Sequence, residues 1–205
     1  ASFAPIAWGS ETCGSIRIPS AVHNLFGLRP TKGLSSIAGI VPLSPTPDVG
    51  GPLARTVRDL AIGLDATVGA DPADSATAIL AGRTPPRFAD ALDSTALRGT
   101  RLGVLTAHFG SEADDQEGTR VVRAALARIK ARGAEVVDVT IPGLDSLIAA
   151  AGVIDFEFKY DLADYLARIP NAPVKSLGEI LDRGLYHTAL ETGLRRREAQ
   201  GTRDS

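Results

Sequence analysis

Between Arg101 and Ile141 the chain runs strand, helix, strand, and that order leaves few folds open. Residues 101–106 form a short apolar-rich run suited to a strand. Residues 114–132 carry Val121, Val122, Ala125, Leu126 and Ile129 at helical spacing, facing inward, and Gly133 marks the stop. Residues 135–141 are the next strand, ended by Pro142. A helix between two strands lets them lie parallel, where a hairpin cannot. Residues 145–169 and 177–197 then read as mainly helical, so the fold class is α/β. The loop after the first strand, residues 106–111, has one glycine and lacks the dinucleotide fingerprint, which leaves the crossover as an ordinary packing unit.

The first third has a different texture, rich in Gly, Pro, Ser and Thr. Residues 3–8 read as a strand weakened by Pro5 and ended by Gly9-Ser10. Thr56 is placed to cap a helix over residues 57–68, with Leu60, Leu64 and Val68 on one face and Gly69 beyond. Residues 70–96, with Asp71, Pro72, Asp74, Pro85 and Pro86, read as a loop-rich connector. No internal repeat is present.

Composition removes several function classes. With 205 residues, 44% hydrophobic and 22% charged, the chain can bury a core. A net charge of −2 leaves no basic excess for a phosphate backbone, so nucleic acid is not expected as a partner. No apolar run approaches the roughly 18 residues of a membrane span, so no membrane partner is expected. One cysteine allows neither an internal disulfide framework nor a cysteine zinc cluster; neither metal nor cofactor is expected. No signal peptide opens the chain, which points to the cytoplasm, and a homodimer is compatible with this composition. The chain starts at Ala1 without any methionine, so its natural start is expected upstream.

The chemically informative stretch is Gly9-Ser10-Glu11-Thr12-Cys13-Gly14-Ser15-Ile16-Arg17-Ile18-Pro19. Small residues in a tight turn can aim consecutive N–H groups at an anion, and a serine closing the turn can attack a carbonyl those groups hold. Taken alone these residues fit an ordinary loop better. His23, His108 and His187 stand in no recognisable relation to Ser15 and read as surface or structural residues.

The same stretch resembles the second half of the amidase signature. The resemblance continues through Gly27-Leu28-Arg29-Pro30-Thr31-Lys32-Gly33, Val41-Pro42-Leu43, Asp48 and the run from Gly51-Pro52-Leu53 to Arg58-Asp59. Residues 1–70 match closely. Phe156-Glu157-Phe158-Lys159, Asp161-Leu162 and Tyr165-Leu166 look loosely like the bacterial peptide-amidase branch. The resemblance implies a Ser–cis-Ser–Lys amidohydrolase built on a large mixed sheet covered by helices on both sides. In it Ser15 is the nucleophile, the backbone N–H groups of Thr12, Cys13, Gly14 and Ser15 form the oxyanion hole, and Glu11 and Arg17 support the loop. The implied reaction turns a carboxylic or peptide C-terminal amide into acid plus ammonia through a serine acyl-enzyme, the partner being a small-molecule or peptide amide.

Two departures qualify the match. The family's lysine and cis-serine lie upstream of the Ser15 motif, and family members continue well beyond residue 205. The chain is therefore expected to be a partial amidase domain, residues 1–70 carrying the nucleophile half and 97–205 the α/β and helical part, inactive alone. Cys13 also stands where most members carry glycine. Two other readings remain: the amidase subunit of a transamidating complex, whose branch usually has glutamine at the position of Ile18, and a non-catalytic fragment. Residue by residue, Glu11 fits a turn acid as well as a site residue, and Arg17 reads as structural. Asp48 reads as an Asx-turn residue, Lys32 and Lys159 as solvated charges, and Arg195-Arg196-Arg197 as an exposed helix face.

Overall fold

A computed structural model describes residues 3–201 and 203 of the chain. They divide into two compact units, residues 1–91 with 152–205, and residues 92–151.

The first unit is organised around a three-stranded antiparallel sheet in the order β1 (Ile6–Glu11), β3 (Val49–Ala54), β2 (Phe26–Gly27). β1 begins and ends later than its sequence suggests. Gly9 and Ser10 do not stop it, because they pair with Gly51 and Gly50 on β3. β3 was hidden in the sequence, since Gly50-Gly51-Pro52 has the composition of a turn. Close approach is what those glycines permit. A Cβ on Gly51 would lie 2.2 Å from the Leu28 carbonyl oxygen, and one on Gly27 would lie 2.0 Å from Ser20 Oγ.

Helices cover both faces of this sheet. α1 (Arg17–Val22) sets Ile16, fully buried, against Gly9, Gly27 and Gly51. α2 (Val57–Asp65) lies on the other face, where Gly63 lets it approach Ile6 and Pro52. Thr56 caps α2 as its sequence indicates, accepting the Asp59 N–H at 3.0 Å. α2 ends at Asp65, short of Val68, which bridges to Ser35 instead. The connector is more ordered than its composition suggests. Buried Thr77 donates to the Asp71 and Asp74 carbonyls, and a 3-10 turn spans Ser75–Leu80.

The second unit contains the parallel crossover. β4 (Arg101–Val104) pairs with β5 (Glu135–Asp138), and α3 (Asp115–Ala131) joins them. Its inward face is narrower than the periodicity predicts. Leu126 and Ile129 are half-buried, but Val121, Val122 and Ala125 are exposed. Two four-residue strands cover only a strip of a 17-residue helix. α4 (Leu144–Ala150) closes this unit.

The predicted long helices are each interrupted. The first splits at Gly152 into α4 and α5 (Ile154–Ala167). The second becomes α6 (Leu177–Asp182), a 3-10 turn over Thr188–Leu190 and α7 (Glu191–Glu198), with Gly184 at φ 62° ending α6. α5 and α6 enclose a core of Leu162, Leu166, Ala172, Leu177 and Leu181. Leu177 is 1% exposed. Leu177→Ala is expected to destabilise this unit by about 2–5 kcal/mol, read as a lowered urea midpoint at unchanged slope. A midpoint within error of wild type would show that this cluster does not hold the helices.

Lys159 is structural, not solvated, while the arginine run is an exposed helix face at Arg195 and Arg196, as its sequence indicates, and half-buried only at Arg197. Lys159 Nζ donates to the Glu198 and Gln200 carbonyls at 2.8 and 2.7 Å, satisfying the C-terminal end of α7. Arg196 and Arg197 both pair with Asp155 on α5, while Arg195 pairs with Glu191 within its own helix. No helix among the described residues is long and apolar enough to cross a membrane.

Candidate active site

Strand alternation determines where Glu11 points. It lies on the same face of β1 as Gly9, the face covered by α1, so its carboxylate reaches beneath the turn that starts that helix. Glu11 is 1% exposed. Its Oε2 accepts the Ile16 and Arg17 N–H groups at 2.9 and 3.0 Å. Its Oε1 takes both Arg17 Nε at 2.7 Å and Nη2 at 2.6 Å, two charge-assisted contacts on one oxygen, with Arg29 Nε at 3.5 Å. Burial alone raises the Glu11 carboxyl; the hydrogen bonds from Arg17 and Ile16 and the Arg17 charge outweigh it and hold the group below its ordinary value. Glu11 is therefore a buried ionised anchor, and the solvated turn acid that its sequence also allows is excluded.

Between Glu11 and α1 the chain makes a five-residue loop, Thr12-Cys13-Gly14-Ser15-Ile16. Cys13 and Ser15 are exposed and Gly14 is buried. Among the described residues the N–H groups of Cys13, Gly14 and Ser15 donate to no protein acceptor. The Gly14 carbonyl faces the other way and accepts the Ile18 N–H at 2.8 Å, starting the helix. The loop therefore presents an accessible hydroxyl with neighbouring free N–H donors, the arrangement an acyl-transfer nucleophile needs.

Asp48 is more than a turn residue. It is 4% exposed, and its Oδ2 accepts the Leu43 and Ser44 N–H groups, both at 2.9 Å. Its Oδ1 accepts the Thr12 hydroxyl, so it ties the 43–48 loop to the start of the Ser15 loop. Ser44, fully buried, and Thr46 donate their hydroxyls to Glu157 on α5. Burial raises Glu157, but the hydrogen bonds from Ser44 and Thr46 prevail and hold it low. Lys32 is half-buried, not a solvated turn charge: Nζ donates to the Pro45 carbonyl and, at 2.9 Å, to that of Asp48. Burial depresses its pKa against the pull of Asp74, Asp48 and Glu157.

Sequence reading missed Asp48, Ser44 and Glu157 as supports of this site. Asp48 and Glu157 stood within recognisable stretches, but their shared role depends on chain segments up to 113 residues apart. His187 accepts the Ala189 N–H at 3.2 Å and caps the 3-10 turn, in keeping with its reading as a surface or structural residue. Among the described residues no group of three His, Cys, Asp or Glu side chains is placed to hold a metal ion.

Cys13 is exposed and lies two positions before Ser15, where the family resemblance assigns the role to its N–H and not to its thiol. In the full-length protein Cys13→Gly is expected to retain turnover within a few-fold of wild type, since the amide survives. Loss of turnover on that change, with the Ser15→Ala variant still active, would transfer the nucleophile's role to the thiol.

Comparison with known proteins gives a consistent picture. The chain is 31% identical over 188 residues to a probable amidase of Arabidopsis thaliana, covering 88% of this chain and 35% of that protein. It is 39% identical over 150 residues to a glutamyl-tRNA(Gln) amidotransferase subunit from Thermus thermophilus, 73% of this chain and 30% of that one. The native peptide amidase of Stenotrophomonas maltophilia superimposes with a TM-score of 0.83 at 34% identity, over 97% of this chain and 42% of the other. The chain thus spans about a third of the length of the curated relatives it matches. The family model described as Amidase matches residues 1–202, and with the loop geometry around Ser15 this places the chain in the amidase signature family.

Proposed function

We propose that the full-length protein is an amidohydrolase that converts a carboxylic or peptide C-terminal amide to the acid and ammonia, with Ser15 as the nucleophile. The observation that carries this is the exposed Ser15 hydroxyl beside three N–H groups without protein acceptors, on a loop held by the ionised Glu11. Ser15 Oγ bonds to the amide carbon and gives up its proton; the carbonyl oxygen becomes an oxyanion received by the loop N–H groups. Collapse breaks the C–N bond, and the nitrogen leaves as ammonia with the proton the hydroxyl lost. Water then attacks the ester, and the acid departs as Ser15 regains its proton. By family resemblance the proton carriers are a lysine and a cis-serine outside this chain; Lys32 and Lys159 are engaged by backbone carbonyls.

Ammonia release from a C-terminally amidated dipeptide by the full-length protein tests the reading. Turnover that persists in the Ser15→Ala variant would overturn it. The likeness to the glutamyl-tRNA(Gln) amidotransferase component supports a second reading, in which the protein releases ammonia within a transamidating complex. Ile18 stands where that branch usually has glutamine, which ranks this reading second; copurification of stoichiometric partner proteins would reverse the order. A third reading, a non-catalytic piece, applies to the 205-residue chain by itself, for which no serine-dependent turnover is expected.

A further inference from the structure

The Ser15 loop is anchored at both ends by carboxylates, and only one of them belongs to the signature stretch. At its C-terminal end Glu11 takes the Ile16 and Arg17 N–H groups. At its N-terminal end the side-chain hydrogen bond on Thr12 runs to Asp48, which lies 36 residues away in sequence and is 4% exposed. Asp48 is itself immobilised. Its second oxygen holds the Leu43 and Ser44 N–H groups, and its carbonyl takes Lys32 Nζ. Glu157, on α5, clamps the far side of that loop through Ser44 and Thr46.

Resting on the amidohydrolase reading above, we propose that Thr12 and Asp48 are positioning residues for the oxyanion hole, with the Thr12 hydroxyl fixing the line along which the Cys13 and Gly14 N–H groups point. Thr12 acts through its side chain as well as through its backbone. The reasoning is geometric. Three free donors in a row have no protein acceptors to orient them; the Gly14 carbonyl's bond from the Ile18 N–H fixes the peptide plane that carries the Ser15 N–H, and the Thr12 end is left to set those of Cys13 and Gly14. Release of one end lets them swing, and a displacement near 1 Å in such donors costs up to about a hundredfold in rate. Ground-state binding of substrate does not use the developing oxyanion, so the loss belongs in kcat and not in KM.

Thr12→Val tests this with little change of shape, since it replaces the hydroxyl that Asp48 accepts with a methyl group. In the full-length protein it is expected to lower kcat about 10- to 100-fold with KM within about threefold of wild type. A peptide aldehyde, whose adduct with Ser15 places an oxyanion in the hole, should lose affinity by a similar factor, while the carboxylate product should bind unchanged. Thr12→Ser, which keeps the hydroxyl, should restore kcat to within a few-fold. Two results overturn the proposal: Thr12→Val with wild-type kcat, or parallel losses of kcat, product affinity and thermal midpoint that Thr12→Ser fails to rescue. Both are distinguishable from failure of the amidohydrolase reading, which requires turnover to survive Ser15→Ala.

Discussion

Ser15→Ala in the full-length protein is expected to lower kcat for amide hydrolysis by about 10⁴- to 10⁶-fold while leaving the thermal midpoint within error of wild type. The small effect on stability follows from where the residue sits. Ser15 is exposed, and its hydroxyl makes no hydrogen bond to any described residue, so the fold loses no partner. The large effect on rate follows from chemistry. Without Oγ no acyl-enzyme can form, and what remains is the contribution of substrate binding and the free N–H donors. Single-turnover measurements with an ester substrate extend the test, because wild type should show a burst of leaving group and the variant none. Turnover within tenfold of wild type, in a folded variant, would remove Ser15 from the mechanism.

Glu11→Ala is expected to damage both stability and activity. It deletes the acceptor of the Ile16 N–H, which belongs to a residue with no exposed surface, and of the Arg17 N–H. Two hydrogen bonds to a charged acceptor and a stranded buried donor together give a loss on the order of 3 kcal/mol. Arg17 adds little to this figure, because its side chain is 59% exposed and water can replace the carboxylate. Activity should fall with it, since the same oxygen holds the C-terminal end of the Ser15 loop. The pH dependence has a definite sign. Glu11 is held below its ordinary 4.5 in the folded chain. Its contribution is therefore complete above the unfolded value and is lost as pH falls through the lower folded value. Glu11→Gln should flatten the acid side of the stability profile relative to wild type. Urea midpoints measured from about pH 6 down to about pH 3 decide it, and identical acid slopes in the two proteins would show that Glu11 is not the ionised anchor.

Local pattern determined a good part of this protein. The crossover β4–α3–β5 follows from periodicity and from Gly133 and Pro142, since a strand–helix–strand order permits a parallel pair and the local signals lie within 41 residues. Thr56 announces α2 because a cap acts on an N–H three residues away. The run from Gly9 to Pro19 carries the family resemblance and marks the Ser15 loop because its residues are contiguous. Other features were decided only by tertiary contacts. Gly50-Gly51-Pro52 is a poor strand by propensity and becomes the central strand because β1, β2 and the Leu28 carbonyl need a surface without side chains. Val121, Val122 and Ala125 share the apolar character of Leu126 and Ile129, yet only the sheet's width decides which of them it covers. Asp48 has the local signature of an Asx turn; burial and the Thr12 hydroxyl make it an anchor of the Ser15 loop. Local signals thus specify each element that satisfies its own backbone within a few residues. The charged groups that hold the loop, Glu11 excepted, take their roles from partners that only folding brings within hydrogen-bond reach.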